Sequence, residues 1–141
     1  MKLFDLFKSF FQSSQSHPEI RSGDIYAIRQ GGKGYQLLKV LDVDIEFGGI
    51  HLYFYRGAHA EVPAAAEVEE LIEKRNEGRT ATTFSEVLQE MANSDCYEIM
   101  HAPLSLKGFL ADRPLFITHS DIKEEELEGY RYYLEEMGVS E

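Results

Sequence analysis

Between residues 24 and 56 the apolar side chains recur at every second position or in unbroken runs, the pattern of strands. Residues 24–30 are rich in β-forming side chains and end at Gly31-Gly32-Lys33-Gly34, a turn in which glycine supplies positive φ. Residues 35–44 are apolar on both faces through Leu37, Leu38, Val40, Leu41 and Val43, and Glu46-Phe47-Gly48-Gly49 turns the chain again. Residues 50–56 alternate, with Ile50, Leu52 and Phe54 on one face and His51, Tyr53 and Tyr55 on the other. Three strands joined by short glycine-rich turns predict an antiparallel meander. Its expected form is a strongly bent antiparallel sheet or an SH3-like small barrel.

After Pro63 the period becomes helical. Residues 64–74 put Ala65, Val68, Leu71 and Ile72 on one stripe, with Glu67, Glu69, Glu70 and Glu73 outside. Thr83 and Glu86 have capping-box spacing, and Phe84, Val87, Leu88 and Met91 follow at helical intervals, predicting a helix over 84–92. Residues 96–101 predict a fourth strand closed by Pro103, and residues 113–118 a fifth, which Pro114 confines to an edge or to its first residues. The last helix, over 121–137, has Ser120 or Asp121 as its cap. Glu124, Glu125 and Glu126 lie at its positive dipole end, and Leu127, Tyr130, Leu134 and Met137 form its apolar stripe. Strands followed by amphipathic helices define an α+β domain over 21–141.

Residues 1–12 form a separate unit. Phe4, Phe7, Phe10 and Phe11 share one helical face with Leu3 and Leu6, opposite Asp5, Lys8, Ser9 and Gln12. A polar connector, 13–20, follows. The helix over 2–12 is expected to dock on an apolar patch of its own body or of a second copy, in a homodimer. Phe4, Phe7, Phe10 and Phe11 are then the contact residues. Only Lys2 and Lys8 attract anionic lipid, so no membrane role is expected. Asp5 and Lys8 also interrupt any signal-like apolar run, so the expected location is cytoplasmic.

Charge changes the picture more than composition does. Residues 1–60 carry seven Lys/Arg against six Asp/Glu, and residues 61–141 carry seven against nineteen, within a net charge of −11. Such a balance repels nucleic acid and favours basic partners. The 141 residues suffice for one core, and a single cysteine, Cys96, excludes an internal disulfide.

Candidate chemistry is sparse. The five histidines, His17, His51, His59, His101 and His119, show no local pairing of the kind metal sites use, so no metal and no cofactor is expected. Gly31-Gly32-Lys33-Gly34 lacks the spacing of a phosphate loop. His101 and His119 each end a predicted strand and can face one another; with Cys96 they make an alternative reading as a small hydrolase or ligand-binding enzyme. The row His51, Tyr53 and Tyr55 is either an aromatic binding stripe or the underside of a helix.

Three stretches, Gly23-Asp-Ile-Tyr-Ala-Ile28, His101-Ala-Pro-Leu-Ser105 and Glu125-Glu-Leu-Glu-Gly-Tyr130, together resemble a family of small, mostly β bacterial proteins. That family is grouped with the candidate immunity proteins of polymorphic toxin systems. The resemblance covers roughly residues 21–135 and implies no catalytic residues. The chain departs from the pattern in carrying Tyr133 where tryptophan is expected, and in a longer, more helical 64–94 segment. The expectation is a non-enzymatic binding protein, an acidic immunity-type inhibitor of a basic toxin. Asp121, Glu124, Glu125 and Glu128 are its contact residues and His51, Tyr53 and Tyr55 its apolar centre. A further alternative is an assembly module acting through the N-terminal helix.

Overall fold

Tyr35–Asp44 is the strand around which the domain is organised, because both of its faces are buried. The computed structural model describes residues 19–73, 79–80, 83, 85–87, 89 and 99–138. The N-terminal helix with Phe4, Phe7, Phe10 and Phe11, the connector as far as residue 18, His17 and Cys96 lie outside the described residues.

The elements in chain order are β1 (Asp24–Arg29), β2 (Tyr35–Asp44), β3 (Gly49–Phe54), α1 (Ala65–Leu71), β4 (Arg79–Thr80), β5 (Ile99–Ser105), α2 (Leu106–Ala111), β6 (Leu115–His119) and α3 (Glu124–Glu136). Residues 85–87 and 89 are also helical, within the predicted 84–92 helix. The sheet order is β4-β5-β3-β2-β1-β6. Five of these strands pair antiparallel, and two-residue β4 lies parallel to β5 at one end.

The α+β class read from the sequence is present, with the antiparallel meander at its centre. The SH3-like closure is not. Strands β4 and β6 end the sheet on opposite sides, so it is not closed into a barrel among the described residues. Register shifts between Val40 and Asp42 and between Ile25 and Tyr26 mark bulges, which bend a sheet without closing it.

Both faces carry a core. On one, Leu38, Val40, Leu52 and Phe54 pack with Tyr26, with Phe109 of α2 and with Val87. On the other, Leu37, Leu41, Tyr53 and Tyr55 pack with Val68 of α1, and Leu127 and Tyr130 of α3 pack against that cluster. Helices on both sides explain why β2 carries apolar side chains on both faces. Gly34 is required where β2 begins: its φ is 93°, and a Cβ there would lie 2.3 Å from the His59 carbonyl oxygen.

Two boundaries differ from expectation. Strand β5 continues through Pro103 to Ser105 instead of closing at the proline. Strand β4 pairs with β5 only at Ile99 and His101, so β5 is an edge at Pro103, where a missing N–H is tolerated. Helix α3 starts from Lys123 rather than from Ser120 or Asp121, because the Glu126 side chain accepts the Lys123 backbone N–H at 2.8 Å. Strand β6 is an edge strand, one of the two placements that Pro114 allows, and it begins just after that proline, at Leu115. Among the described residues no helix is long and apolar enough to cross a membrane.

Candidate functional site

Helix α3 crosses the sheet on a series of buried polar contacts, and these fix which of its side chains face water. The first contact begins at Lys39, a lone cation inside an apolar strand. Its side chain is fully buried, and its ammonium donates to Glu126 Oε1 at 2.8 Å and to the Asp121 carbonyl at 3.1 Å. The Tyr55 hydroxyl donates to Glu126 Oε2. Burial and the adjacent Glu126 carboxylate push the Tyr55 hydroxyl far above its ordinary range. Glu126 is therefore an internal anchor of the helix; the dipole role expected of it is secondary.

One helical turn later, Tyr130 donates from its hydroxyl to Asp42 Oδ2 at 2.8 Å. Its ring lies 4.7 Å from that of His51 and 5.1 Å from that of His101, and Tyr133 packs 4.6 Å from His101. The two histidines are joined by an Nδ1–Nε2 hydrogen bond of 2.9 Å, one ring donating and the other accepting. Burial lowers the pKa of His51 from the ordinary 6.5, against the opposing pull of Asp42 and Asp44.

That shift predicts a pH effect. With the folded value below the unfolded one, the unfolded chain binds a proton between the two that the native protein does not. The His51 contribution is thus fully present above pH 6.5 and is lost as pH falls through and below it. Urea midpoints of the wild type are expected to fall more between about pH 7 and about pH 5 than those of His51→Gln. Equal falls in the two proteins would remove His51 from the account.

A third contact joins β1 to the approach of α3. The buried Asp24 carboxylate accepts the Arg21 backbone N–H at 2.9 Å and His119 Nδ1 at 2.8 Å, which makes Nδ1 the protonated ring nitrogen. The other nitrogen, Nε2, lies 3.8 Å from the exposed Asp121 carboxylate. Gly23 permits this, since a Cβ there would lie 2.8 Å from His119 Cε1.

The two histidines of the hydrolase reading do not converge. His101 on β5 and His119 on β6 are four strand spacings apart, roughly 19 Å along the sheet at about 4.8 Å each. They bond to different partners, His51 and Asp24. Cys96 is outside the described residues. Among the described residues no group of three His, Cys, Asp or Glu side chains is placed to hold a metal ion.

The aromatic stripe is also corrected. Tyr53 and Tyr55 are buried beneath the helices and His51 is half-buried, so this row is core and not a contact surface. The acidic residues of α3 and its approach do face solvent: Asp121, Glu124, Glu125 and Glu128 are all exposed. Glu124 accepts a 2.8 Å hydrogen bond from Arg131, and that bond and the guanidinium charge hold its carboxyl below the usual range. Lys39, Asp42 and Asp24 were not singled out from sequence, and Glu126 only as a dipole partner. The signal for Lys39 was present, a charge at a fully buried strand position that demands a partner.

No protein-family model, curated protein or solved structure matches this chain.

Proposed function

We propose that this is a non-enzymatic protein-binding domain, an acidic immunity-type inhibitor that covers a cationic surface of a bacterial toxin in the cytoplasm. The observation carrying this reading is the division of labour on α3. Glu126 and Tyr130 hold the helix to the sheet, while Glu124, Glu125 and Glu128 are presented outward from the same turns and Asp121 from the approach to them. A carboxylate array on an anchored helix loses little conformational freedom when a cationic partner arrives. Its field accelerates encounter, and that advantage fades with salt. The resemblance read in the sequence points to the same reading, and the net charge of −11 disfavours a nucleic-acid partner.

Affinity capture from the native host, with a search for a toxin-like reading frame beside the gene, tests the reading. The expected product is a cationic protein. Its association rate at low salt should fall by about tenfold or more in an Asp121→Lys, Glu125→Lys, Glu128→Lys variant of unchanged thermal stability. Recovery of no cationic protein, or an association rate indifferent to the reversal, would sink the proposal.

A further inference from the structure

The turn between β2 and β3 is a second place where the surface departs from what folding alone requires. Turn positions ordinarily carry Gly, Asn, Asp or Ser. Here Ile45 and Phe47 stand 77% and 83% exposed, the two most exposed large apolar side chains described. Single exposed apolar residues are commonplace, but two on one hairpin tip present a joint apolar surface.

The backbone of the tip is hydrogen-bonded on several sides. Phe47 N–H donates to Asp44 Oδ1 at 3.2 Å, and Gly48 N–H donates to the Ile45 carbonyl at 3.3 Å. Gly48 takes a φ of 67°, which glycine adopts without strain. The Gly48 carbonyl accepts the Leu106 N–H at 2.8 Å, fastening the tip to the start of α2. Strand pairing continues to Asp44 opposite Gly49, and Gly49 in turn pairs with Ser105.

We infer that this hairpin tip is an insertion surface for an apolar cleft with a cationic rim on a partner protein, with Phe47 as the anchor. Half-buried Asp44 precedes the two apolar side chains and exposed Glu46 lies between them, so a complementary cleft carries Lys or Arg beside an apolar floor. The same carboxylates oppose an anionic lipid surface, and like charge opposes a second copy of the chain. A preformed turn presenting an aromatic side chain incurs little ordering cost on binding, which is the profile of an interface hot spot. The surface is separate from the acidic start of α3. Along β2 toward the tip, Lys39 meets Glu126 and then Asp42 meets Tyr130, one turn further from the acidic helix start.

The test uses the full chain and a defined probe, a two-helix peptide of Leu and Lys whose helices enclose an apolar groove rimmed by Lys, with its Leu and Glu counterpart as control. Binding of the Leu/Lys peptide should shift the NMR signals of residues 44–48, and Phe47→Ser should weaken it by about tenfold or more at unchanged Tm. Reversing Asp121, Glu125 and Glu128 should leave the shift pattern at 44–48 in place, which separates this inference from the one about α3. Equal binding of the Leu/Glu peptide, or an affinity indifferent to Phe47→Ser, would overturn it. Shifts at the same residues with phosphatidylserine vesicles would overturn it in favour of lipid. A concentration-dependent mass lost in Phe47→Ser would overturn it in favour of self-association.

Discussion

Lys39→Met is expected to be among the most destabilising single substitutions in the domain, costing about 3–5 kcal/mol, because it leaves a carboxylate buried without its cation. Glu126 is 2% exposed, and its remaining donors are the Tyr55 hydroxyl and the Lys123 backbone N–H. Those two hydrogen bonds do not neutralise a charge inside the protein. The Asp121 carbonyl also loses its donor, which loosens the approach to α3. At roughly 3 °C per kcal/mol for a chain of this size, Tm should fall by about 10–15 °C. The partner change decides the cause. In Lys39→Met, Glu126→Gln the charge is gone while a neutral amide still pairs with Tyr55 and Lys123, so most of the loss should return. A double variant as unstable as the single one would show that the deficit came from the shape of the substituted methionine and not from an unpaired carboxylate. A single variant within about 1 kcal/mol of wild type would mean that the pair is not buried as described.

The parts of the fold that were legible in the sequence are those set by local pattern. Alternation in residues 50–56 placed Ile50, Leu52 and Phe54 on one face and His51, Tyr53 and Tyr55 on the other, and the two cores divide the apolar members of the strand in that way. The stripe of Leu127 and Tyr130 likewise located α3 and the face it turns inward. Alternation names two faces but does not say what covers them, so the burial of Tyr53 and Tyr55 could not be read until the helices above them were placed. Helix α2 spans six residues, less than two turns, and carries too little periodicity to be recognised. The polar contacts were hidden for a different reason. Lys39 and Glu126 are 87 residues apart and His51 and His101 are 50 apart, and nothing in either neighbourhood identifies the other. His119 and His101 each end a predicted strand, yet the partner of His119 is Asp24, 95 residues away at the other end of the domain. Glu126 was the most misleading residue. Three successive glutamates at a helix start are explained by the dipole, and that explanation masked the one that turns inward.

The motif containing Glu126 also contains Gly129, and there a small change is expected to act against its usual sign. In the interior of an exposed helix, Gly→Ala stabilises by up to about 1 kcal/mol. Gly129 is buried where α3 crosses β4 and β5, and an added Cβ would lie 2.5 Å from Thr80 Oγ1, 3.0 Å from Met100 Cβ and 3.3 Å from His101 Cβ. The hydroxyl can rotate away, but the two Cβ atoms are fixed to β5. The helix must therefore rise from the sheet, and Gly129→Ala should cost about 1–3 kcal/mol in place of the usual gain. The lift acts directly on the neighbouring residue, since Tyr130 must hold both Asp42 and the rings of His51 and His101. The near-UV circular dichroism of the tyrosines should weaken along with Tm. Thr80→Ala in the Gly129→Ala background should recover only the part due to the hydroxyl, leaving the contact with Met100 in place. Were Gly129→Ala as stable as wild type or more so, the approach of helix to sheet would be looser than these distances. The glycine of the Glu-Glu-Leu-Glu-Gly-Tyr element would then need an explanation other than close packing.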